Sequence, residues 1–217
     1  MQSKILTAIL SVLILAGAGY IAYESRKKKS LFKSGDIIFQ TSLTSQNKAI
    51  QFATKSKYSH CGIIYKKDGV FYVYEAVQPV KSAPLDQWIA RGENGYYVVR
   101  RLKDADKILT PEAQAKMEAE GKKFIGKDYD LTFEWSDDKI YCSELIWKVY
   151  DRALGVQIGE LQKLGDFDLS FPQAQTLLEA RYGGINNVPF DETVISPISI
   201  FNSGLLETVK DAYPSEQ

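Results

Sequence analysis

Hydrophobic and polar residues follow two periods along this chain, one of about two residues, typical of strands, and one of about 3.6, typical of helices. Residues 35–40 (GDIIFQ) indicate a turn that leads into a short strand. Residues 58–65 and 70–77 are rich in β-branched and aromatic side chains, and the intervening KKDG loop at 66–69 favours a hairpin. We therefore expect the two segments to pair as antiparallel strands.

The remaining hydrophobic positions predict mainly helices. In chain order, the pattern predicts a helix at Ser45–Thr54, a short helix opened by Pro84, a strand at 96–100, a helix capped by Thr110 from Pro111 to about Phe124, a helix that begins at Tyr141 or Cys142, and short helices at 173–180 and 198–209. From Leu31 onward there is no linker, repeat or low-complexity tract, so residues 31–217 are expected to form one domain. The predicted class is α+β, with helices on one side of a small antiparallel sheet.

The first 30 residues differ from the rest of the chain. Residues 5–23 carry no charge and are followed by Arg26 and three lysines at 27–29. The stretch is longer than the roughly 7–15 residues of a signal-peptide core and close to the roughly 20 that span a bilayer. The small residues at 16–18 (AGA) offer a cleavage site. Residues 1–30 are thus expected to be a signal peptide or a membrane anchor. The basic flank favours a cytoplasmic domain.

Composition narrows the chemistry that the domain can perform. The chain has 217 residues, with 27 Lys+Arg against 27 Asp+Glu, so it lacks the positive field that nucleic-acid binding requires. It has one histidine and no Cys-x-x-Cys pair, which excludes the zinc motifs that need two such ligands. Acid–base chemistry near neutral pH therefore falls to His60 or to a group with a displaced pKa.

Cys142 is the candidate nucleophile. On a helix it shares one face with Leu145, Ile146 and Val149, and it lies in the first turn. The unpaired N–H groups and the dipole of a helix start stabilise a thiolate, which is the attacking form of cysteine. A cysteine on an apolar helix face is also commonly a small buried hydrophobe, and periodicity leaves both interpretations open.

His60 is the candidate base, and Glu75 is the candidate residue that orients it. With a hairpin loop at 66–69, Glu75 or a near neighbour lies across from His60. A carboxylate there would fix the imidazole tautomer and stabilise the imidazolium formed with the thiol proton. A structural histidine and a solvent-facing glutamate are the alternative. Cys61 alternates with His60 along the strand, so we expect it to face the core or away from the site, to be structural, and not to bridge to Cys142.

Several short segments carry a resemblance to a known family. They are GDIIFQ at 35–40, YSH at 58–60, YEAV at 74–77, WSDD at 135–138 and YCSE at 141–144. From about Gly35 to near its C-terminus, the chain resembles the YiiX/YaeF family of permuted papain-like cysteine amidases in the NlpC-like superfamily. The resemblance implies a small antiparallel sheet or barrel with the nucleophile-bearing helix packed on it.

The same resemblance implies roles for three residues. Cys142 would be the nucleophile, His60 the base and Glu75 the third polar residue. Members of this family commonly begin with an export signal. This favours a periplasmic domain, or one anchored in the membrane and facing outside the cytoplasm, over the alternative of an inner-membrane anchor with a cytoplasmic domain.

Further residues are expected to bind substrate. The candidates are Tyr58, Gln40, Tyr141, Trp135 and Asp137. The three aromatic residues would line the pocket, although packing in the core explains them as well. The backbone N–H of Cys142 is a natural oxyanion donor, with Gln40 as a second. Asp137 or Asp138 is expected either to cap the helix or to hold a substrate amino group.

The expected activity is that of a thiol hydrolase, which cleaves an amide bond in a peptide or cell-wall-type substrate through an acyl-enzyme and needs no cofactor. One alternative keeps the same three residues but acts on a lipid, as an acyl hydrolase or acyltransferase. Another is a non-catalytic binding module tethered to the membrane. The expected partners are an amide- or acyl-bearing substrate and, through the N-terminal segment, the membrane, with no nucleic acid.

Overall fold

The computed structural model describes residues 30–43 and 45–214. The uncharged segment at 5–23, on which the expectation of an export signal or membrane anchor depends, lies outside the described residues. The chain divides into Met1–Leu31 and Phe32–Gln217, and every element described below belongs to the second unit. Within the described ranges, no helix has the length and hydropathy of a membrane span.

The second unit alternates short strands with helices. In chain order, the elements are β1 (Asp36–Gln40), α1 (Ser45–Thr54), β2 (His60–Lys67), β3 (Val70–Glu75), β4 (Lys81–Pro84), α2 (Leu85–Ala90), β5 (Val98–Leu102), α3 (Ala105–Ile108), α4 (Pro111–Lys122), α5 (Cys142–Leu154), β6 (Gln162–Lys163), α6 (Pro172–Tyr182), β7 (Thr193–Val194), α7 (Pro197–Phe201) and β8 (Leu206–Asp211).

Six of the strands form one antiparallel sheet in the order β4-β3-β2-β1-β5-β8. All five residues of β1 are buried, because this strand lies inside the sheet and both of its faces are covered. The strands β4 and β8 form the two edges, so the sheet is open and does not close into a barrel. The fold class is α+β, as predicted.

A hydrophobic cluster lies on each face of the sheet. On one face, Phe39 and Cys61 pack in the same cluster as the apolar side chains of α5. On the other face, Ile38 and Ile64 pack against Trp88 of α2. The helix that carries Cys142 is therefore packed on the sheet, as predicted, whereas the covering of the opposite face by α2 was not predicted from the sequence pattern.

The β2–β3 hairpin has a tighter turn than predicted. Lys67 pairs with Val70, so the turn contains only Asp68 and Gly69, whose φ angles are 50° and 86°. Positive φ at both central residues is typical of a type I′ turn, which Asp-Gly favours. In this register Glu75 lies opposite Gly62, two residues further along β2 than His60, which was the expected partner. His60 is therefore a diagonal cross-strand neighbour of Glu75.

The helix predicted at 198–209 is wrong in its second half. α7 ends at Phe201, and the chain then forms β8, which pairs with β5 at the edge of the sheet. Leu206 is buried, while the residues that follow it in β8 are mostly exposed. A hydrophobic pattern this short fits the period of a helix as well as that of a strand. Strand pairing decides the outcome because β5 offers unpaired backbone groups along that edge.

Candidate active site

The start of α5 places Cys142 at the first helical position, directly after the N-cap residue Tyr141. The backbone N–H of Tyr141 donates to a carboxylate oxygen of Glu144 over 3.4 Å. This interaction within the first turn satisfies a backbone donor at the helix start. The expectation that Asp137 or Asp138 caps the helix is therefore wrong, since Tyr141 holds the N-cap position.

His60 and Glu75 are in direct contact in spite of the shifted register. His60 Nε2 donates to Glu75 Oε2 over 2.7 Å, and the Glu75 side chain is completely buried. A diagonal cross-strand pair is close enough for an imidazole and a glutamate to meet. With Nε2 engaged by the carboxylate, the imidazole also interacts with the Cys142 side chain.

Trp88 and Arg91 also bind the Glu75 carboxylate. The Trp88 indole N–H donates to Oε2 over 2.8 Å, and the Arg91 guanidinium donates to Oε1 over 2.5 Å. The Trp88 ring is also stacked on the His60 ring, with centroids 5.7 Å apart and an interplanar angle of 23°. The carboxylate and the imidazole are therefore both held from the side of α2.

The contact between His60 and Cys142 favours the ionised form of both side chains. Burial lowers the pKa of His60, but hydrogen bonds to Cys142 and Glu75 raise it to about 9. Hydrogen bonds from the Cys61 side chain and from His60, with the charge of His60, lower the pKa of the Cys142 thiol against the effect of burial. Burial raises the pKa of Glu75, but the hydrogen bonds and charges of His60 and Arg91 lower it by more, so that the net shift is downward. The arrangement favours a thiolate beside an imidazolium.

Cys61 lies closer to the site than alternation along the strand suggested. It faces the core, as expected, but Cys142 enters the same cluster, and hydrogen bonding from the Cys61 side chain and backbone is among the causes that lower the pKa of the Cys142 thiol. His60 instead reaches Cys142 from the first position of β2, where the strand begins. Both cysteines are free, and burial raises the pKa of the Cys61 thiol.

A groove with mostly apolar walls opens at Cys142 and has an empty volume of about 700 Å³, open solvent included. Among the residues that the structure describes, no charged side chain lines it. Its walls come from α1, α5 and α6, from the segments between them, and from the segment 194–197 that follows α6. The apolar lining residues are Ala49, Ile50, Ala53, Phe133, Leu164, Phe167, Leu169, Ala174, Leu177, Leu178, Val194, Ile195 and Pro197.

Of the five residues predicted to bind substrate, Tyr141 lines this groove. Its hydroxyl accepts a hydrogen bond from the backbone N–H of Ile195 over 3.0 Å. Tyr58 is buried elsewhere, in an aromatic cluster where its ring centroid lies 4.4 Å from that of Phe201. Trp135 is half-buried against Trp147, with ring centroids 5.3 Å apart.

Gln40 ends β1 and pairs with His60 in the sheet. Its side chain is buried and lies against Gly92, where an added Cβ would come within 2.3 Å of Oε1. Within the described part of the chain, Oε1 has no hydrogen-bond partner. Gln40 is therefore beside His60, and its part as an oxyanion donor stays a prediction.

Asp137 is paired with cations on the outer side of α5 and does not line the groove. Its carboxylate accepts hydrogen bonds from Lys148 over 2.9 Å and from Arg152 over 2.6 Å. The pairing with Arg152 and Lys148 holds the pKa of Asp137 well below its usual range. The structure thus does not bring Asp137 together with Cys142. If Asp137 bound the amino group of a substrate, it would have to lie close to Cys142.

The comparisons with known proteins identify the family. The family model described as "Permuted papain-like amidase enzyme, YaeF/YiiX, C92 family" matches residues 32–210. The chain belongs to this family. The match covers nearly all of the second unit, so the family's fold applies to the sheet and to α5.

Two relatives in the C92 family come from Escherichia coli. The chain is 52% identical over 182 residues to "Uncharacterized protein YiiX" of strain K12, covering 84% of this chain and 88% of that protein. It is 51% identical to the crystal structure of "metalloprotein yiiX" from O157:H7, with a TM-score of 0.80, covering 85% of this chain and 100% of that one.

The word metalloprotein in that description concerns the relative. Over residues 30–43 and 45–214 of this chain, no group of three or more His, Cys, Asp and Glu side chains is placed to hold a metal ion. His60 and Glu75 are engaged with each other, and Cys142 is engaged with His60 and Cys61. These residues do not fit a metal centre, and no step of the chemistry below passes through one.

Sequence reasoning missed several residues of this C92-family site. Trp88 and Arg91 lie in and just after a helix that was predicted only from Pro84, and Tyr129 lines the groove from the loop before α5. A tryptophan and an arginine three positions apart share one helix face, which was the available signal for Trp88 and Arg91. We find no comparable signal for Tyr129.

Proposed function

We propose that the domain is a thiol hydrolase in which Cys142 attacks an amide carbonyl, His60 transfers the proton and Glu75 orients His60. Membership of a family of permuted papain-like amidases supports cleavage of an amide bond. The observation that carries the assignment of roles is the continuous contact from Glu75 through His60 to Cys142 at the start of α5.

The proposed reaction begins from the thiolate and imidazolium. Cys142 Sγ forms a bond to the carbonyl carbon, and the negative charge moves to the carbonyl oxygen. When this intermediate collapses, the C–N bond breaks and His60 gives its proton to the leaving amine. His60 then takes a proton from water, the hydroxide adds to the thioester, and release of the acid restores the thiolate and the imidazolium.

The developing oxyanion requires donors close to the nucleophile. The backbone N–H of Cys142 lies at the positive end of the α5 dipole, which supports its use as the first donor. The Gln40 amide is the proposed second donor, because it is buried and its residue pairs with His60 in the sheet. An amide nitrogen that faced the substrate would complete the oxyanion site.

A thiol-reactive probe tests this assignment without knowledge of the substrate. Iodoacetamide at pH 6 to 7 should label Cys142 in the wild type much faster than Cys61, since only Cys142 has a lowered thiol pKa. His60→Ala should slow labelling of Cys142, and Cys142→Ser should remove the fast phase. Labelling of Cys61 at an equal rate, read by peptide mass spectrometry, would contradict the proposal.

The groove supports a second candidate function, a lipid acyl hydrolase or acyltransferase that uses the same triad. Its apolar walls and the absence of charge among its described lining residues suit an aliphatic chain better than a charged peptide. Matched substrates separate the two functions: one acyl chain joined to an amine by an amide, or to an alcohol by an ester. Turnover of the amide supports the amidase, because the amide is the less reactive bond, and turnover of the ester with no turnover of the amide supports the lipid enzyme.

A further inference from the structure

The Glu75 carboxylate is buried at the inner end of the site and is held by three donors. Oε2 accepts from His60 at 2.7 Å and from Trp88 at 2.8 Å, while Oε1 accepts from Arg91 at 2.5 Å. A carboxylate without solvent access is costly unless its charge is paired and its oxygens are hydrogen-bonded. Arg91 supplies the permanent countercharge, since a guanidinium stays protonated at every relevant pH.

Arg91 is placed for this contact by the end of α2. It is the C-cap residue of that helix, and its backbone N–H donates to the Trp88 carbonyl. Arg91 is three positions after Trp88, so that both side chains project from one face of the helix toward Glu75. The Glu75 side chain is fully buried, but the Arg91 side chain is 44% exposed. Arg91 therefore closes the carboxylate site from the solvent side.

We propose that Arg91 is a positioning residue of the triad, which fixes the orientation of Glu75 and sets how firmly His60 keeps its proton. This inference rests on the proposed function. Arg91 acts through Glu75 and has no described contact with the groove. By binding Oε1, it leaves Oε2 directed at His60, and by balancing the charge of Glu75 it weakens the hold of the carboxylate on the imidazolium.

The charged and titratable groups around this contact determine the sign of the effect. His60 faces Glu75 and Cys142, and Glu75 faces His60 and Arg91. Lys81, which is exposed, is the cross-strand neighbour of Glu75 on β4. Like charges disfavour each other, so Arg91 lowers the stability of the imidazolium. Its removal should therefore let His60 keep a proton to higher pH.

The single histidine of the chain makes this effect directly measurable. In untagged protein with ¹³C-labelled histidine, one imidazole signal reports the titration of His60 by NMR. Arg91→Met should shift the titration midpoint upward by about one pH unit, after discounting for the half-exposed guanidinium. Arg91→Lys keeps the charge and should restore a midpoint close to that of the wild type.

Lys81→Met is the matched control, because it also removes one positive charge next to Glu75 but leaves the Arg91 contact in place. The midpoint should stay within about 0.2 pH units of the wild-type value. An unchanged midpoint in Arg91→Met, or an equal shift in Lys81→Met, would overturn the positioning role. Arg91→Gln guards against misfolding of Arg91→Met, because it also removes the charge but keeps N–H donors near Glu75, and its midpoint should likewise move upward.

A second readout keeps this inference separate from the proposed function. The rate at which iodoacetamide labels Cys142 is measured over the same pH range in each variant. Slow labelling of Cys142 in the wild type would overturn the thiol-hydrolase proposal, whatever His60 does. Fast labelling in the wild type, with identical pH profiles for the wild type and Arg91→Met, would overturn the role of Arg91 alone.

Discussion

At the scale of single residues, the site is a short series of buried charges that stabilise one another. His60 and Arg91 pair with Glu75 and lower its pKa against the effect of burial, and hydrogen bonds to Cys142 and Glu75 raise the pKa of His60. Hydrogen bonds from Cys61 and His60 in turn lower the pKa of the Cys142 thiol. Each charge depends on its neighbour, so removing one changes the proton affinity of the next.

Glu75→Gln tests the carboxylate while preserving its shape. The amide cannot stabilise the imidazolium as a charge does, so the pKa of His60 should fall from its value of about 9. The basic limb of the activity profile should then move to lower pH, because activity requires the proton on His60. Turnover should fall by roughly two to four orders of magnitude. An unmoved basic limb, measured with any cleavable substrate, would exclude Glu75 from the triad.

Cys61→Ala tests the hydrogen bond from the second thiol. Without this donor the thiolate of Cys142 is less stable, so its pKa should rise and the acid limb of iodoacetamide labelling should move to higher pH. Cys61→Ser, which retains a hydroxyl donor, is the matched control and should keep the limb nearer the wild-type position. Equal profiles for the alanine and serine variants would contradict a direct role for the Cys61 side chain.

At the scale of elements, α5 combines a packing face with a reactive start. Leu145, Ile146 and Val149 are buried in the main cluster, which fixes the helix on the sheet, while Cys142 occupies the first position. The helix ends at Gly155, whose φ of 67° is left-handed and whose N–H donates to the Asp151 carbonyl over 2.7 Å. Packing and capping thus determine where the sulfur is held.

Gly155→Ala should separate the stability of α5 from the reactivity of its first residue. A Cβ in the left-handed region costs about 1–2 kcal/mol, and the free energy of unfolding should fall by that amount. Gly155→Asn is the control, because asparagine tolerates this conformation and should cost less. Chemical denaturation measures both. Labelling of Cys142 should be unchanged, and a large loss of labelling would mean that the end of α5 influences its start.

At the scale of the whole domain, the groove exists only because distant segments meet in front of Cys142. One wall comes from α1, which follows the first strand, and another from α6, which lies after α5. The helices α1 and α6 contact each other, and their facing alanines, Ala49, Ala53 and Ala174, leave space along the groove. An aliphatic chain placed there gains about 0.8 kcal/mol for each buried methylene.

Leu177→Trp tests whether this space binds the acyl part of the substrate. Leu177 is half-buried and lines the groove, so a larger ring should fill space without disrupting the core. We expect kcat/KM to fall at least about tenfold for a twelve-carbon acyl amide and to change little for an acetyl amide. Leu161→Trp, at a position outside the groove lining, is the control. An equal loss for both chain lengths would contradict acyl binding in the groove.

Most of the secondary structure could be predicted from local pattern, and the failures have local causes. Thr110 caps α4 as expected, accepting from the Ala113 N–H over 3.2 Å, because a cap depends on residues next to each other. The hairpin register was wrong by two residues, because KKDG leaves open where the turn begins within the loop. The strand β8 was taken for helix because its hydrogen bonds are made with β5, which lies about a hundred positions earlier.

The sequence by itself determined the fold class, the family and the helix that begins at Cys142. It also singled out His60 and Glu75 as the candidate base and its candidate partner, because all of these depend on local periodicity and on short motifs. Only the tertiary structure decided which groups surround them. Trp88 and Arg91 reach Glu75 from α2, on the face of the sheet opposite α5, and Cys61 meets Cys142 in the core. Such contacts depend on how the segments pack, and residue types and spacing carry little information about packing between distant segments.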